Sequence, residues 1–261
     1  MDDKTKKKIE TMKRAGLILG QVMDEIVDFV KEGVTELDVD NLAERRILEL
    51  GGEPGFKKVD GYKHTICAST NDVVVHGIPK ERKLVNGDVF GFDCGVYLEG
   101  YHTDMAETVI VGEANDEAKK KFLEVGKKTL FEAIKQAKPG NHVGNISKVM
   151  QEGIEGNGYS IVRSLVGHGV GKELHEEPEI PGYLDGKIDN TPELYVGMTL
   201  AIEAIYNMGE AGVVFEGTDD WTIVSEDGSL AGLFERTIYV DENGPKLITE
   251  LKNDQLFGKF K

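Results

Sequence analysis

The chain repeats itself at an offset of 107 residues. KEGVTELDVDNLAERRILELGG begins at Lys31, and KPGNHVGNISKVMQEGIEGNGY begins at Lys138. In this alignment Gly33 meets Gly140, Val39 meets Ile146, Leu42 meets Val149 and Gly51 meets Gly158. Chance supplies a few such matches, but the order of elements around each copy is also the same. An amphipathic helix precedes each one: Ile9, Met12, Gly16, Met23, Ile26 and Val30 share a face in the first half, and residues 115–138 do so in the second. A short glycine turn, a second helix ended by glycine, and strands follow in both. The repeat therefore predicts an α+β fold in two similar halves, about 1–112 and 113–245, with a short C-terminal tail. No Pro-, Ser- or Gly-rich linker separates the halves, so 1–261 is expected to be a single domain with its site on the shared sheet.

The stretch VFGFDCGVYLEGYHTDMAET, Val89 to Thr108, reads as a β-hairpin turning at Glu99-Gly100. That register pairs Leu98 with Tyr101, Gly95 with Asp104 and Asp93 with Ala106. Side chains alternate across a strand, so Phe90, Phe92, Cys94, Val96 and Leu98 form a core face beside Tyr101, Met105 and Val109. Asp93 and Asp104 share the opposite face as diagonal neighbours roughly 7 Å apart. One reading of that pair is a solvated outer surface. The other is a cation site, because the surrounding glycine and alanine positions leave a hollow suited to oxygen ligands.

Further carboxylates lie in apolar strands. GMTLAIEAIY (197–206) contains Glu203 and LFERTIYV (233–240) contains Glu235, and a glutamate buried there is costly unless paired or metal-bound. VGHGVGKELHEEP sets His168 among glycines with His175 seven residues on, and VVVHGIP puts His76 at a strand end. The glycines do not match a dinucleotide fingerprint and read instead as close backbone approach. His64, His102 and His142 are assigned structural roles.

Composition narrows the classes. The net charge of −16 argues against broad nucleic-acid binding, and the opening MDDKTKKKIE has no apolar leader. No apolar run reaches membrane-spanning length, and Cys67 and Cys94 make no disulfide framework. A soluble cytoplasmic protein is expected.

Together VVVHGIP, FDCGVYLEGYHTD, GHGVGKELHEEP, AIEAIY and LFERT resemble, in order and spacing, the motif array of type I methionine aminopeptidases, over residues 4–242. The resemblance implies the duplicated pita-bread fold, a curved antiparallel sheet with helices on its outer face and pseudo-two-fold halves. It implies two divalent metal ions, with Asp104 and Glu235 bridging, Asp93 chelating one and His168 with Glu203 completing the other. Four carboxylates and an imidazole favour Mn, Fe or Co, with Zn also compatible. Glu203 is implied as proton shuttle, while His175 and His76 contact the substrate at the scissile amide and backbone. Tyr62, Cys67 and Trp221 match the methionine pocket. The implied reaction removes N-terminal methionine from nascent or newly made proteins. A transient ribosome contact through Lys4, Lys6, Lys7, Lys8, Lys13 and Arg14 competes with plain surface solvation of those residues. No DNA or membrane partner is expected, and a monomer is.

Departures from the family pattern are Arg236 for histidine, Ala204 and Lys63 for prolines, Leu174 for phenylalanine and Leu233 for glutamine. Competing readings are an Xaa-Pro aminopeptidase of the same fold, whose extra N-terminal domain this length does not accommodate, and a non-catalytic peptide- or ribosome-binding relative. A phosphoester hydrolase would need an arginine cluster that the motifs lack.

Overall fold

A computed structural model of the chain describes residues 1–217 and 219–256. The first half runs α1 (Asp3–Phe29), α2 (Glu36–Glu49), β1 (Glu53–Pro54), β2 (Ile66–Thr70), β3 (Val73–Val75), β4 (Val89–Leu98) and β5 (Tyr101–Ile110). The second runs α3 (Glu117–Ile134), α4 (Val143–Glu155), β6 (Ser160–Ile161), β7 (Val166–Gly169), β8 (Glu176–Pro181) and β9 (Thr199–Asn207). It continues through β10 (Val213–Phe215), β11 (Ile223–Ser225), β12 (Ala231–Asp241) and β13 (Gly244–Leu247). All named strand pairs are antiparallel. This is the pita-bread α+β architecture.

Local chemistry starts and stops the helices at equivalent points of the two copies. Asp2 caps α1 by accepting from the Thr5 amide at 2.7 Å. Thr35 caps α2 by accepting from Asp38 N, and Asp38 reciprocates toward the Thr35 N–H. At the start of α4 the Asn145 side chain accepts from the His142 N–H in the same way, which gives His142 the structural role expected of it. Gly51 and Gly158, matched by the repeat, both stop their helices with φ near +85° (+85° and +82°). Gly33 and Gly140 (φ +88° and +83°) donate to the carbonyls of Leu84 and Leu194. The helices bury one face each. Met12, Leu19, Val22, Met23 and Ile26 of α1 are fully buried, and Phe122, Leu130, Phe131 and Ile134 of α3 form the matching core of the second half.

The β4–β5 hairpin has the register read from sequence, with Leu98↔Tyr101, Gly95↔Asp104 and Asp93↔Ala106. Glu99 and Gly100 turn it with φ of +47° and +92°, as a primed turn requires. The glycine face is less hollow than expected, however. A Cβ on Gly95 would lie 2.9 Å from the Phe56 ring, so this glycine admits an aromatic side chain.

β5 and β12 meet at the centre without a strand ladder, stitched by two threonines. Thr108 Oγ1 accepts from Leu233 N at 3.1 Å and donates to Leu233 O at 2.6 Å. Thr237 Oγ1 accepts from Asp104 N at 2.9 Å and donates to Asp104 O at 2.8 Å. The two residues are pseudo-symmetric equivalents. By the same correspondence Asp93 matches Glu203, but Asp104 falls opposite Leu233 and Glu235 opposite Ala106. Leu233 itself is buried among Val74, Val75 and Ile205, and Ala204 is fully buried in the core beside α3.

No helix among the described residues is long and apolar enough to cross a membrane. Several cations of α1 are held intramolecularly: Lys8 donates to Thr199, Lys13 to the Tyr239 hydroxyl and Arg14 pairs with Glu99.

Thr108→Val keeps the shape of the junction and strands two buried Leu233 backbone groups. Each unmade bond of that kind costs about 1–3 kcal/mol, so chemical denaturation should show a loss of about 2–4 kcal/mol. A variant within about 0.5 kcal/mol of the parent would mean that water replaces the hydroxyl.

Candidate active site

One cavity of about 110 Å³ gathers all ten residues singled out from the sequence. Its floor is built from five strands. Asp93 comes from β4, Asp104 from β5, His168 from β7, Glu203 from β9 and Glu235 from β12. Strand alternation aims each side chain inward, and antiparallel pairing sets Glu203 directly opposite Glu235.

The floor is too acidic to be at rest by itself. Asp104 and Glu235 are buried, and burial pushes all four carboxylic acids up, with neighbouring carboxylates adding to the effect at Asp93, Glu203 and Glu235. Asp104 reaches about 7, with the Asp93 carboxyl beside it. Asp93 Oδ1 and Glu235 Oε1 are buried with no hydrogen-bond partner among the described residues. One ligand-capable atom each from Asp104, His168 and Glu235 lies within 4.8 Å of the others. Orphaned carboxylate oxygens, a tight oxygen-rich group and an imidazole fit a divalent cation.

His168 is held ready for such a role. Its Nδ1 lies 2.9 Å from Gly169 O, which keeps the proton on that nitrogen and leaves Nε2 facing Glu203 Oε1 at 3.5 Å. Burial lowers its pKa to about 4, so the ring is neutral. His175 packs edge-on against it, with centroids 4.5 Å apart. His76 is also neutral, pushed down to about 4 by burial and by His175. It adopts a left-handed φ of +56°, a conformation most side chains avoid. The next residue has to be glycine, since a Cβ on Gly77 would sit 2.0 Å from Ala68 O.

The wall is apolar. Tyr62 and Trp221 meet edge-on at 5.1 Å, Phe56 lies 6.3 Å from Tyr62, and the Tyr62 hydroxyl donates to Ile66 O at 2.8 Å. Cys67 is a buried thiol, its pKa raised by burial and then by Asp93, so it contributes an uncharged surface. Phe56, Val59 and Leu174 complete the wall, and sequence reasoning did not assign them to it. Phe56 and Val59 precede Tyr62 at intervals of three, across the 3₁₀ turn Phe56–Lys58, so an i, i+3 pattern in GFKKVDGY carried that signal.

The remaining histidines are elsewhere. His64 contacts Asp40 at 3.4 Å, and His102 is buried against Tyr97 with centroids 4.8 Å apart. Arg236 points away from the cavity, as strand alternation requires, and is fully buried.

The raised carboxylic acids have a consequence for stability. An unfolded aspartate ionises near 3.8, whereas folded Asp104 holds its proton to about 7. The folded state therefore binds more protons, and its stability falls as pH rises through these values. Neutral buried histidines oppose this only below about pH 6.5, where unfolded imidazoles charge. Metal-stripped protein should accordingly melt at lower temperature at about pH 8 than at about pH 6.5, and added divalent metal should remove the loss. A melting temperature rising over that window in stripped protein would contradict the raised values.

Comparison with known proteins identifies the family. The profile of metallopeptidase family M24 matches residues 10–225. The methionine aminopeptidase of Clostridium acetobutylicum is 43% identical over 242 residues, covering 92% of this chain and 95% of its own. Methionine aminopeptidase 1 of Bacillus subtilis is 40% identical, covering 95% and 98%. The crystal structure of the Thermotoga maritima methionine aminopeptidase superposes with a TM-score of 0.89 at 40% identity, over 94% of this chain and 97% of that one. Prolidase from Pyrococcus furiosus, at 23% identity, shares the fold with a TM-score of 0.77. Identity at this level over nearly whole chains places the protein in metallopeptidase family M24, among its methionine aminopeptidases.

Proposed function

We propose that this enzyme removes the N-terminal methionine of newly made proteins, using two divalent ions held by Asp93, Asp104, His168, Glu203 and Glu235. One observation carries the reading: the acidic floor and the aromatic wall belong to the same small cavity. A side chain seated against the wall places its own peptide bond at the floor. An unbranched thioether suits Phe56, Tyr62 and Trp221, because it adapts its shape and contacts ring edges favourably. The small cavity favours a chain end over an internal peptide bond. Mn, Fe or Co suits the oxygen-dominated donors.

When bound, the ions supply Lewis acidity, which makes water a nucleophile at neutral pH and polarises the scissile carbonyl. The chain's own groups do the rest. Glu203 accepts the proton of the attacking water on a carboxylate oxygen and delivers it to the leaving amine. His175 and His76, neutral at working pH, each offer one N–H and one lone pair. His175 bonds the scissile amide and His76 the substrate backbone, orienting the bond over the floor. The apolar wall excludes bulk water from the reacting centre. The reading makes the protein a cytoplasmic monomer acting on nascent or finished chains. With Lys6 paired to Asp3 and Lys8, Lys13 and Arg14 engaged internally, any ribosome contact through α1 would fall chiefly to Lys4 and Lys7.

Steady-state kinetics on Met-, Leu- and Lys-Ala-Ser peptides test the wall. Methionine should exceed leucine in kcat/KM by about 10–200-fold, the worth of a misfit methylene. Lysine should not be cleaved measurably, since its charge would be buried without a partner. Equal values for methionine and lysine would remove the methionine assignment.

Glu203→Gln tests the proton transfer separately. Its kcat should fall by about 10²–10⁴-fold while the protein still binds at least one metal ion, as read by calorimetry. Near-parental kcat at saturating metal would exclude Glu203 as the shuttle.

A further inference from the structure

Beyond β13 the chain continues as ITELKNDQL, a segment that lines neither the floor nor the wall of the cavity, although Thr249 Oγ1 lies 3.5 Å from the backbone carbonyl of Asp104. It nonetheless buries polar side chains completely: Thr249 and Asp254 are 0% and 1% exposed. The segment lies directly on α1. A Cβ on Gly16 would be 2.0 Å from Ile248 O, and one on Gly20 would be 2.5 Å from Glu250 O. Its polar groups are turned the other way, toward β12 and β5.

Two contacts converge on the strands that carry Asp104 and Glu235. In the first, Thr249 Oγ1 accepts from Thr237 N at 2.9 Å, and Thr237 O accepts from Ile248 N at 2.9 Å. Thr237 is the residue whose hydroxyl holds both backbone groups of Asp104. In the second, Asp254 receives Arg236 Nε at 2.6 Å and Nη2 at 2.9 Å. The same guanidinium donates through Nη2 to Glu107 Oε2 at 2.6 Å. Through Nη1 it donates to Ala106 O at 2.9 Å and Glu235 O at 2.7 Å. All five of its N–H donors are thus used. Lys127 joins the group, 2.9 Å from Glu107 and 3.2 Å from Asp254.

We infer that the C-terminal segment, through Thr249 and Asp254, is a positioning element for the metal-binding carboxylates, acting on Asp104 through Thr237 and on Glu235 through Arg236. The inference rests on the metal-site reading above. Anchoring the segment does not require charges, since apolar residues of similar volume generally hold a buried contact as well or better. What this ionic cluster adds is direction: its rigid fork fixes the backbone from which Glu235 projects and the carbonyl two residues from Asp104. Outer groups of this kind typically govern metal affinity by about 10–100-fold. Charge acts in the same sense. Loss of the Asp254 charge would leave Arg236 under-compensated behind a site that must accept cations.

Titration of metal-stripped protein with Mn²⁺ alone, by calorimetry, tests this. Asp254→Asn, Arg236→Lys and Thr249→Val should each weaken Mn²⁺ binding by about tenfold or more, and Thr249→Ser should restore it. Cobalt-loaded Asp254→Asn should show an altered visible absorption spectrum. Ile154→Ala, a core truncation in α4 away from the network, should destabilise the fold and leave affinity unchanged. The inference is overturned if folded Asp254→Asn and Thr249→Val bind Mn²⁺ like the parent, or if Ile154→Ala weakens binding equally. Asp104→Asn and Glu235→Gln separate the two levels. If these also bind normally, the metal-site reading itself fails. If they lose binding while the tail variants do not, only the role of the tail fails.

Discussion

Four carboxyl groups share one buried cavity, and like charges so confined cannot all ionise without a cation between them. Much of the architecture serves that constraint. Each acid projects from the middle of a long strand and is held by backbone pairing on both sides of its strand or by threonine hydroxyls across the junction. A flexible loop could relieve the repulsion by swinging a carboxylate into water. These strands cannot, so the protonation of the site and its demand for metal are set by the rigidity of the sheet.

The duplication supplies the frame, and the site departs from it. Caps, helix stops and the paired threonines recur in both halves, and Asp93 and Glu203 occupy matching positions. Asp104 and Glu235 do not match, since their counterparts are Leu233 and Ala106. The symmetric part of the molecule is therefore backbone and core. The acids nearest the junction are placed asymmetrically, which lets one cavity open toward the Tyr62 and Trp221 wall on one side only.

The buried cluster around Arg236 shows how a departure at one position is accommodated. A guanidinium in the core of β12 needs every donor satisfied and its charge met. Glu107 and Asp254 meet its charge, the Ala106 and Glu235 carbonyls take the remaining donors, and Lys127 balances the second carboxylate, so that β5, α3 and the C-terminal segment are all drawn in. Residues distant in sequence thus act together on one strand.

Much of this was legible in the sequence. The repeat specified two α+β halves because helix and strand periodicities are local. The β4–β5 register followed from a two-residue turn, which leaves only one pairing open. Alternation then put Asp93 and Asp104 on one face and turned Arg236 from Glu235. The motif array carried the residues that the structure gathers at the floor and most of those at the wall. Tertiary structure alone decided the rest. That Gly95 receives the Phe56 ring, that Leu174 joins the wall, and that Thr249 and Asp254 reach the central strands all depend on contacts between segments far apart in the chain. Such contacts leave no period in the sequence, because what selects the residues is the shape and charge of a partner that only folding brings near.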